Sequence, residues 1–279
     1  MNDSTQHARL IFIGAGNMAR SLIGGLIDDG YPASAIGATD INPDALTRLK
    51  ADFGVDTYLD NATAAKAADV LVLATKPQQM REVCDSLKAI VQARSPLVVS
   101  IAAGIRAVDM DRWLGGDIAI VRCMPNTPAL IQHGASGLFA NAQVSDQQRE
   151  LAEQILSAVS RVVWVDSDQQ IDAVTAVSGS GPAYYFLVIE AMQAAAEAQG
   201  LSPEQAKTLV LETAFGACAM ARTSSDDAAT LRANVTSKGG TTAAAISVFE
   251  REQLREIFAS AMRAAAERSV ELGDQLGEQ

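Results

Sequence analysis

Short apolar runs alternate with helical apolar stripes along the first half of the chain. The run Leu10-Ile11-Phe12-Ile13 is rich in β-branched residues and stops at Gly14, which predicts a strand buried on both faces. Residues 19–27 follow as a helix, with Leu22, Ile23 and Leu26 on one face. Residues 36–39 read as a second strand and 43–53 as a second helix, where Asn42 is a good N-cap and Pro43 suits the first helical position. The alternation goes on with strands at 70–74, 97–101 and 119–123 and helices at 80–91 and 108–114. Later strands are expected at 135–140 and 162–165, around a helix at 146–159. Such alternation predicts an α/β domain on a mostly parallel sheet.

Past Asp166 the character changes, and from Gln169 onward no convincing strand is found. Alanine-rich amphipathic stretches take over at 183–199, 203–222, 228–234 and 252–272, with Gly200 and Pro203 as a helix stop and a helix start. This reading sets a first domain at 1–166 and an all-helical second domain at 167–279. The helices carry alanine on more than one face. Helices apolar on several sides are buried on several sides, so the second domain is expected to meet a partner subunit.

The formal net charge of −11 argues against nucleic acid as a partner, because an acidic surface repels phosphate backbones. Cys84, Cys123 and Cys218 are odd in number and far apart, with no CxxC; they are expected to be packed residues, in neither a disulfide framework nor a metal site. Residues 1–9 are polar, without the apolar run of a signal peptide, and nothing reaches the ~20 apolar residues of a membrane span. A soluble, cytoplasmic protein without a membrane partner is the expectation.

The first predicted strand runs directly into Gly14-Ala15-Gly16-Asn17-Met18-Ala19, a GxGxxA form of the dinucleotide fingerprint. Gly14 would allow the tight turn out of the strand and Gly16 the approach of a pyrophosphate. Ala19 would let the helix pack close to the sheet, and the helix N-terminus would offer N–H groups and a positive dipole end. Asp40 ends the second predicted strand about 20 residues on, where an acid binds ribose hydroxyls. A carboxylate there favours the 2′-hydroxyl of NADH and repels the 2′-phosphate of NADPH. It would also serve as a turn or capping residue.

Four further segments carry a family resemblance. They are Ala74-Thr75-Lys76-Pro77-Gln78; Arg122-Cys123-Met124-Pro125-Asn126-Thr127-Pro128; Asp172-Ala173-Val174-Thr175 with Ser178-Gly179-Ser180-Gly181-Pro182-Ala183-Tyr184; and Val235-Thr236-Ser237-Lys238-Gly239-Gly240-Thr241-Thr242. With the fingerprint, they make the chain resemble the pyrroline-5-carboxylate reductases from about residue 10 to 245. The resemblance implies a Rossmann-type N-terminal domain, an all-helical dimerisation domain, and rings of dimers such as a decamer. It implies reduction of 1-pyrroline-5-carboxylate to L-proline with NADPH or NADH. By position, Ile13, Gly14, Ala15, Gly16, Asn17, Met18 and Asn61 should touch the cofactor, with Ala74, Thr75, Lys76 and Pro77 beside its ribose and pyrophosphate. Ala102, Ala103, Met124, Pro125 and Asn126 should border the nicotinamide, and the segment 178–182 should pack near it. Ser237, Gly239, Gly240, Thr241 and Thr242 should hold the substrate. Lys238 stands where the family usually has proline, and Asp40 departs from members that favour NADPH.

The substrate of that family is a ring imine with one carboxylate. Reduction of a bound iminium needs no strong protein acid; it needs the carboxylate held, the ring oriented and water excluded. The glycine-containing loop 237–242 suits the first task as an amide nest followed by a helix N-terminus. Ser237 is expected to donate its hydroxyl, and Thr242 to hydrogen-bond the ring nitrogen and relay a proton. Lys76 reads equally as a phosphate cation or as an exposed turn lysine. His7, in a tail taken as loose, and His133 are bystanders. A β-hydroxyacid dehydrogenase would share the architecture, but residues 178–192 lack the lysine that alcohol oxidation would use as base. A reductase of a six-membered cyclic imine and a non-catalytic dinucleotide sensor are the other readings.

Overall fold

The computed structural model describes residues 7–278. Most of the polar N-terminal stretch read above therefore lies outside the described residues. Eight strands form one sheet: β1 (Leu10–Ile13), β2 (Ile36–Thr39), β3 (Asp56–Tyr58), β4 (Val70–Leu73), β5 (Leu97–Ser100), β6 (Ile120–Met124), β7 (Gly134–Ala140) and β8 (Ser160–Trp164). Their spatial order is β3-β2-β1-β4-β5-β6-β7-β8. All neighbours pair in parallel except β6 with β7. This is the mostly parallel sheet expected from the alternation. The order reverses direction at β1, which lies between β2 and β4, and ligands of open α/β sheets bind at the carboxyl ends of strands beside such a switch.

Six helices connect the strands: α1 (Asn17–Asp28), α2 (Pro43–Phe53), α3 (Asn61–Ala65), α4 (Met80–Arg94), α5 (Ala107–Leu114) and α6 (Asp146–Ser157). They cover both faces, which is why the strands read as unbroken apolar runs. Leu10 and Phe12 join a core with Leu22, Ile23, Leu26, Leu49 and Ile155. Ile11 and Ile13 point the other way, into a core with Leu71, Leu73, Met80, Leu87 and Trp113. Each such side chain contributes about 1.5–3 kcal/mol when fully buried. Helix ends follow local chemistry. Asn42 accepts from the Asp44 N–H at 3.0 Å to start α2, and Gly54, at φ +70°, ends it.

The pattern did not suggest β3 or α3. β3 is only half-buried and too short to alternate, and much of its hold is polar: Arg9 reaches the Asp56 carboxylate at 2.5 Å and the Tyr58 hydroxyl at 3.0 Å. Arg9 is thus a structural cation of this strand. His7, taken as part of a loose tail, stacks edge-on against Tyr31 at 5.1 Å.

After β8 come α7 (Gln170–Val174) and one π-helical segment, Thr175–Gly179. Ile171 and Asp172 are buried, and Val174 lies against Gly137 of β7. Packing therefore keeps this stretch with the sheet. The first compact unit runs to Ser180 and includes the chain from Ala265 on, whereas the boundary at 166 came from the loss of strands alone. The second unit, Gly181–Ala264, is all helical. It holds α8 (Gly181–Ala198), α9 (Pro203–Thr223), α10 (Ala228–Asn234), α11 (Thr241–Arg251) and the start of α12 (Leu254–Gly277). α9 begins with a capping box between Ser202 and Gln205, then Pro203 at its first position. Large apolar side chains on these helices stay uncovered in the single chain: Tyr185 and Phe186 are 65% exposed, and Phe215 is 71% exposed. A surface of that kind marks a protein contact.

Candidate active site

Gly14 is buried at φ +107°, and a Cβ built on it would fall 2.6 Å from the Ala74 carbonyl oxygen. The turn is laced to its neighbours: the Gly14 N–H donates to the Thr39 oxygen, and the Ala74 N–H to the Ile13 oxygen, each at 2.9 Å. Gly14 thus lets the ends of β1 and β4 meet. Gly16 differs. It is the N-cap of α1 in extended conformation, and a Cβ there would meet nothing within 4 Å. No side chain caps α1, and no acid sits in its first turn. The helix therefore presents free N–H groups beside an open glycine, which fits the pyrophosphate of a dinucleotide.

Asp40 follows β2. One carboxylate oxygen accepts from the Ala15 N–H at 2.7 Å and the other from the Asn42 N–H at 2.8 Å. It is a turn residue clamped onto the fingerprint, and each oxygen retains a lone pair for a ribose hydroxyl. Asn61 opens α3, where Asp60 caps the helix; its hydrogen bonds to Thr63 hold the Asp60 carboxyl below the usual range. Ala74, Thr75, Lys76 and Pro77 follow β4, Ala102 and Ala103 follow β5, and Met124, Pro125 and Asn126 end β6. Register places these strand ends side by side. Lys76 is exposed at the head of a short 3-10 turn. Gly179 packs on Met124, since a Cβ there would fall 2.5 Å from the Met124 Cε.

Sequence reasoning missed a buried ionic cluster behind these strand ends. Arg122, 1% exposed, donates to Asp168 at 2.5 Å and lies 4.0 Å from Asp172. The other Asp168 oxygen accepts from the Ala107 N–H at 2.8 Å and so caps α5. Asp172 accepts from the Ser269 hydroxyl at 2.7 Å and lies 3.7 Å from Arg106, which also reaches Asp274 at 3.2 Å. The available signal was a charge, Arg122, inside an otherwise apolar strand.

In the helical unit, the Gly240 N–H closes a turn on the Ser237 oxygen at 3.0 Å, with Gly239 at φ +73°. That is the pattern of a type II turn, which needs glycine at its third position and suits proline at its second, occupied by exposed Lys238. A Cβ on Gly240 would stand 2.5 Å from the Ser237 hydroxyl, which would have to rotate away. α11 then starts at Thr241 with no side-chain cap. Ser237, the Gly239-Gly240 amides, Thr241 and Thr242 are thus gathered at one uncapped helix N-terminus.

The remaining nucleophile candidates are poor ones. Burial pushes the Cys84 thiol up to about 12 and raises that of Cys123. Among the described residues no cluster of His, Cys, Asp and Glu could hold a metal ion, and no helix is long and apolar enough to cross a membrane.

Residues 168–272 match the family model for pyrroline-5-carboxylate reductase dimerisation, and residues 9–104 match that for NADP oxidoreductase, coenzyme F420-dependent. A pyrroline-5-carboxylate reductase of Pseudomonas aeruginosa is 51% identical over 97% of this chain and 98% of its own. That of Vibrio alginolyticus is 46% identical over 96% and 98%. A solved pyrroline-5-carboxylate reductase from Coxiella burnetii superposes with a TM-score of 0.92 at 47% identity, covering 95% of this chain and 98% of that one. The Plasmodium falciparum pyrroline carboxylate reductase, solved with NADP bound, gives 0.84 at 27% identity over 96% and 99%. With relatives of 51% and 46% identity covered along nearly their whole length, this chain belongs to the pyrroline-5-carboxylate reductase family.

Proposed function

We propose that the chain reduces 1-pyrroline-5-carboxylate to L-proline with a nicotinamide cofactor, the last step of proline biosynthesis, in the cytoplasm and as a dimer that assembles into rings such as a decamer. The observation that carries the reading is identity of 51% along almost the whole chain to a reductase of that name. The bound nicotinamide supplies a hydride for the imine carbon. The protein's own part is placement. Ile13 to Met18, with the pyrophosphate on α1, and Asn61 touch the cofactor, and 74–77 pass beside its ribose and pyrophosphate. Ala102, Ala103 and the turn 124–126 border the nicotinamide. The amides of 239–241 grip the substrate carboxylate with the Ser237 hydroxyl, and Thr242 meets the ring nitrogen. Holding the reactants in register can lower the barrier by about 7–11 kcal/mol. Loss of NADH or NADPH absorbance on adding the pyrroline acid tests the reading; a protein that binds cofactor without turnover would be a sensor.

Two expected results follow from these assignments. Thr242→Ala should lower kcat by roughly 10²-fold, the low end for a positioned proton relay, with cofactor affinity and thermal midpoint unchanged. Unaltered kcat would remove Thr242 from the proton path. For Asp40, a carboxylate near a doubly charged 2′-phosphate is unfavourable by about 1–2 kcal/mol even in a water-like dielectric. Asp40→Ser should therefore raise the NADPH/NADH ratio of kcat/KM about tenfold, while both values fall because the Ala15 and Asn42 bonds are lost. A constant ratio would leave Asp40 a turn residue alone, and NADH use would then owe nothing to its charge.

A further inference from the structure

The Asn126 side chain bridges the end of the β6–β7 ladder and the π-helical segment 175–179. The β6–β7 ladder ends at the pair Met124 and Gly137, so Ala135 has no β6 backbone group opposite its N–H. Asn126 supplies one: its Oδ1 accepts from the Ala135 N–H at 2.9 Å. On its other side Nδ2 donates to the Ser178 carbonyl at 3.1 Å. That carbonyl belongs to the π-helical segment 175–179, whose ladder closes five residues on, as in the Ser180 N–H bond to the Thr175 oxygen at 2.8 Å. In α-helical spacing the donor for Ser178 would be residue 182, which is proline and has no N–H. Without that α-helical donor the carbonyl is open to another, and the Asn126 amide donates to it. With Oδ1 facing an N–H and Nδ2 facing a carbonyl, the amide orientation is fixed by its neighbours.

We infer that Asn126 is a positioning residue: its side-chain amide is spent as a staple that holds the strand-end turn 124–126 at fixed spacing from the π-helical segment, rather than as a ligand of the cofactor. The inference deepens the reading just proposed and rests on it, since both stapled segments are those assigned to the nicotinamide. Met124 packing on Gly179 is the second contact along the same seam. With the amide lost, the packing of Met124 on Gly179 is left to hold the seam alone, the two segments shift relative to one another, and displacement of this kind lowers kcat more than it weakens binding.

The test is a kcat and KM series with wild type measured in parallel from about pH 4 to 8, a range that reaches the ordinary carboxyl pKa of about 3.9. Asn126→Ala should lower kcat roughly tenfold, about what one net hydrogen bond supplies, with the KM for cofactor within about twofold. Asn126→Asp keeps the acceptor for Ala135 but turns an oxygen toward the Ser178 carbonyl. At pH 8 it should be at least as impaired as the alanine variant. As the introduced carboxyl takes up a proton it becomes a donor, and its kcat relative to wild type should climb to within about threefold at the acid end, while the alanine variant stays flat. Should the aspartate variant fold poorly, Pro182→Ala offers the Ser178 carbonyl a new N–H, so Asn126→Ala should cost less in that background. Equal losses in both backgrounds, an aspartate profile parallel to alanine, or a raised cofactor KM with intact kcat would each overturn the staple. Wild type that leaves the cofactor unoxidised would instead overturn the reading beneath it.

Discussion

Gly16→Val is expected to leave the protein folded and to weaken its binding of NADH and NADPH by more than about 10²-fold. The bare Cα of Gly16 faces open space, with nothing within 4 Å of where a Cβ would stand, and its backbone is extended, a conformation valine adopts freely. The folded state loses only an N-cap preference, about 1 kcal/mol. The approaching pyrophosphate, however, would meet two methyl groups in place of backbone N–H donors, losing charge-assisted hydrogen bonds and close contact together. Gly14 is the control. At φ +107° with the Ala74 backbone 2.6 Å from any Cβ, Gly14→Ala should instead destabilise the fold by about 2–5 kcal/mol through overpacking and left-handed strain. Titration of cofactor fluorescence, paired with a thermal melt, separates the two glycines. Normal affinity in Gly16→Val would mean that the pyrophosphate lies elsewhere.

That contrast also shows what sequence could and could not supply. Both glycines were legible as a motif, because the strand before and the helix after give the spacing a physical meaning. Their division of labour was not, since it depends on Ala74, sixty residues away from Gly14, coming into contact through the β1–β4 pairing. Strands buried on both faces were read to within a residue or two, as their apolar runs are unbroken. β3 escaped because it is held by Arg9 rather than by apolar periodicity. The helices after 180 were legible from alanine content and from Pro203. The stretch 170–180 was not, because its helical turns are short and its burial depends on Gly137 and on the chain's own C-terminus. Asp40 shows a further limit: the residue was found from its spacing, but its clamp on Ala15 exists only in three dimensions.

Arg122→Met is expected to lower the unfolding free energy by about 3–5 kcal/mol, a large part of what holds a domain together. Arg122 is 2% exposed in its side chain and is the cation shared by two largely buried acids, Asp168 and Asp172. Removing it leaves Asp168 without its cation and Asp172 with Arg106 alone, 3.7 Å away, in a poorly solvated space, and that under-compensated charge, more than the lost contact, sets the size of the effect. Arg268, paired with Glu271 at more than half exposure on each side, marks the opposite case; Arg268→Ala should cost at most about 1 kcal/mol. The difference would appear in urea as a lower midpoint with an unchanged slope. Adding Asp172→Asn to Arg122→Met should restore part of the loss, because it removes a charge left with Arg106 alone while still accepting from Ser269. The same cluster fixes α5 through Asp168 and the last turns of α12 through Asp172 and Arg106. Arg122 also stands two residues before Met124 on one strand face, so turnover of the surviving folded fraction should fall with stability. A midpoint within experimental error of wild type would show that the cluster is solvated enough to dispense with its cation.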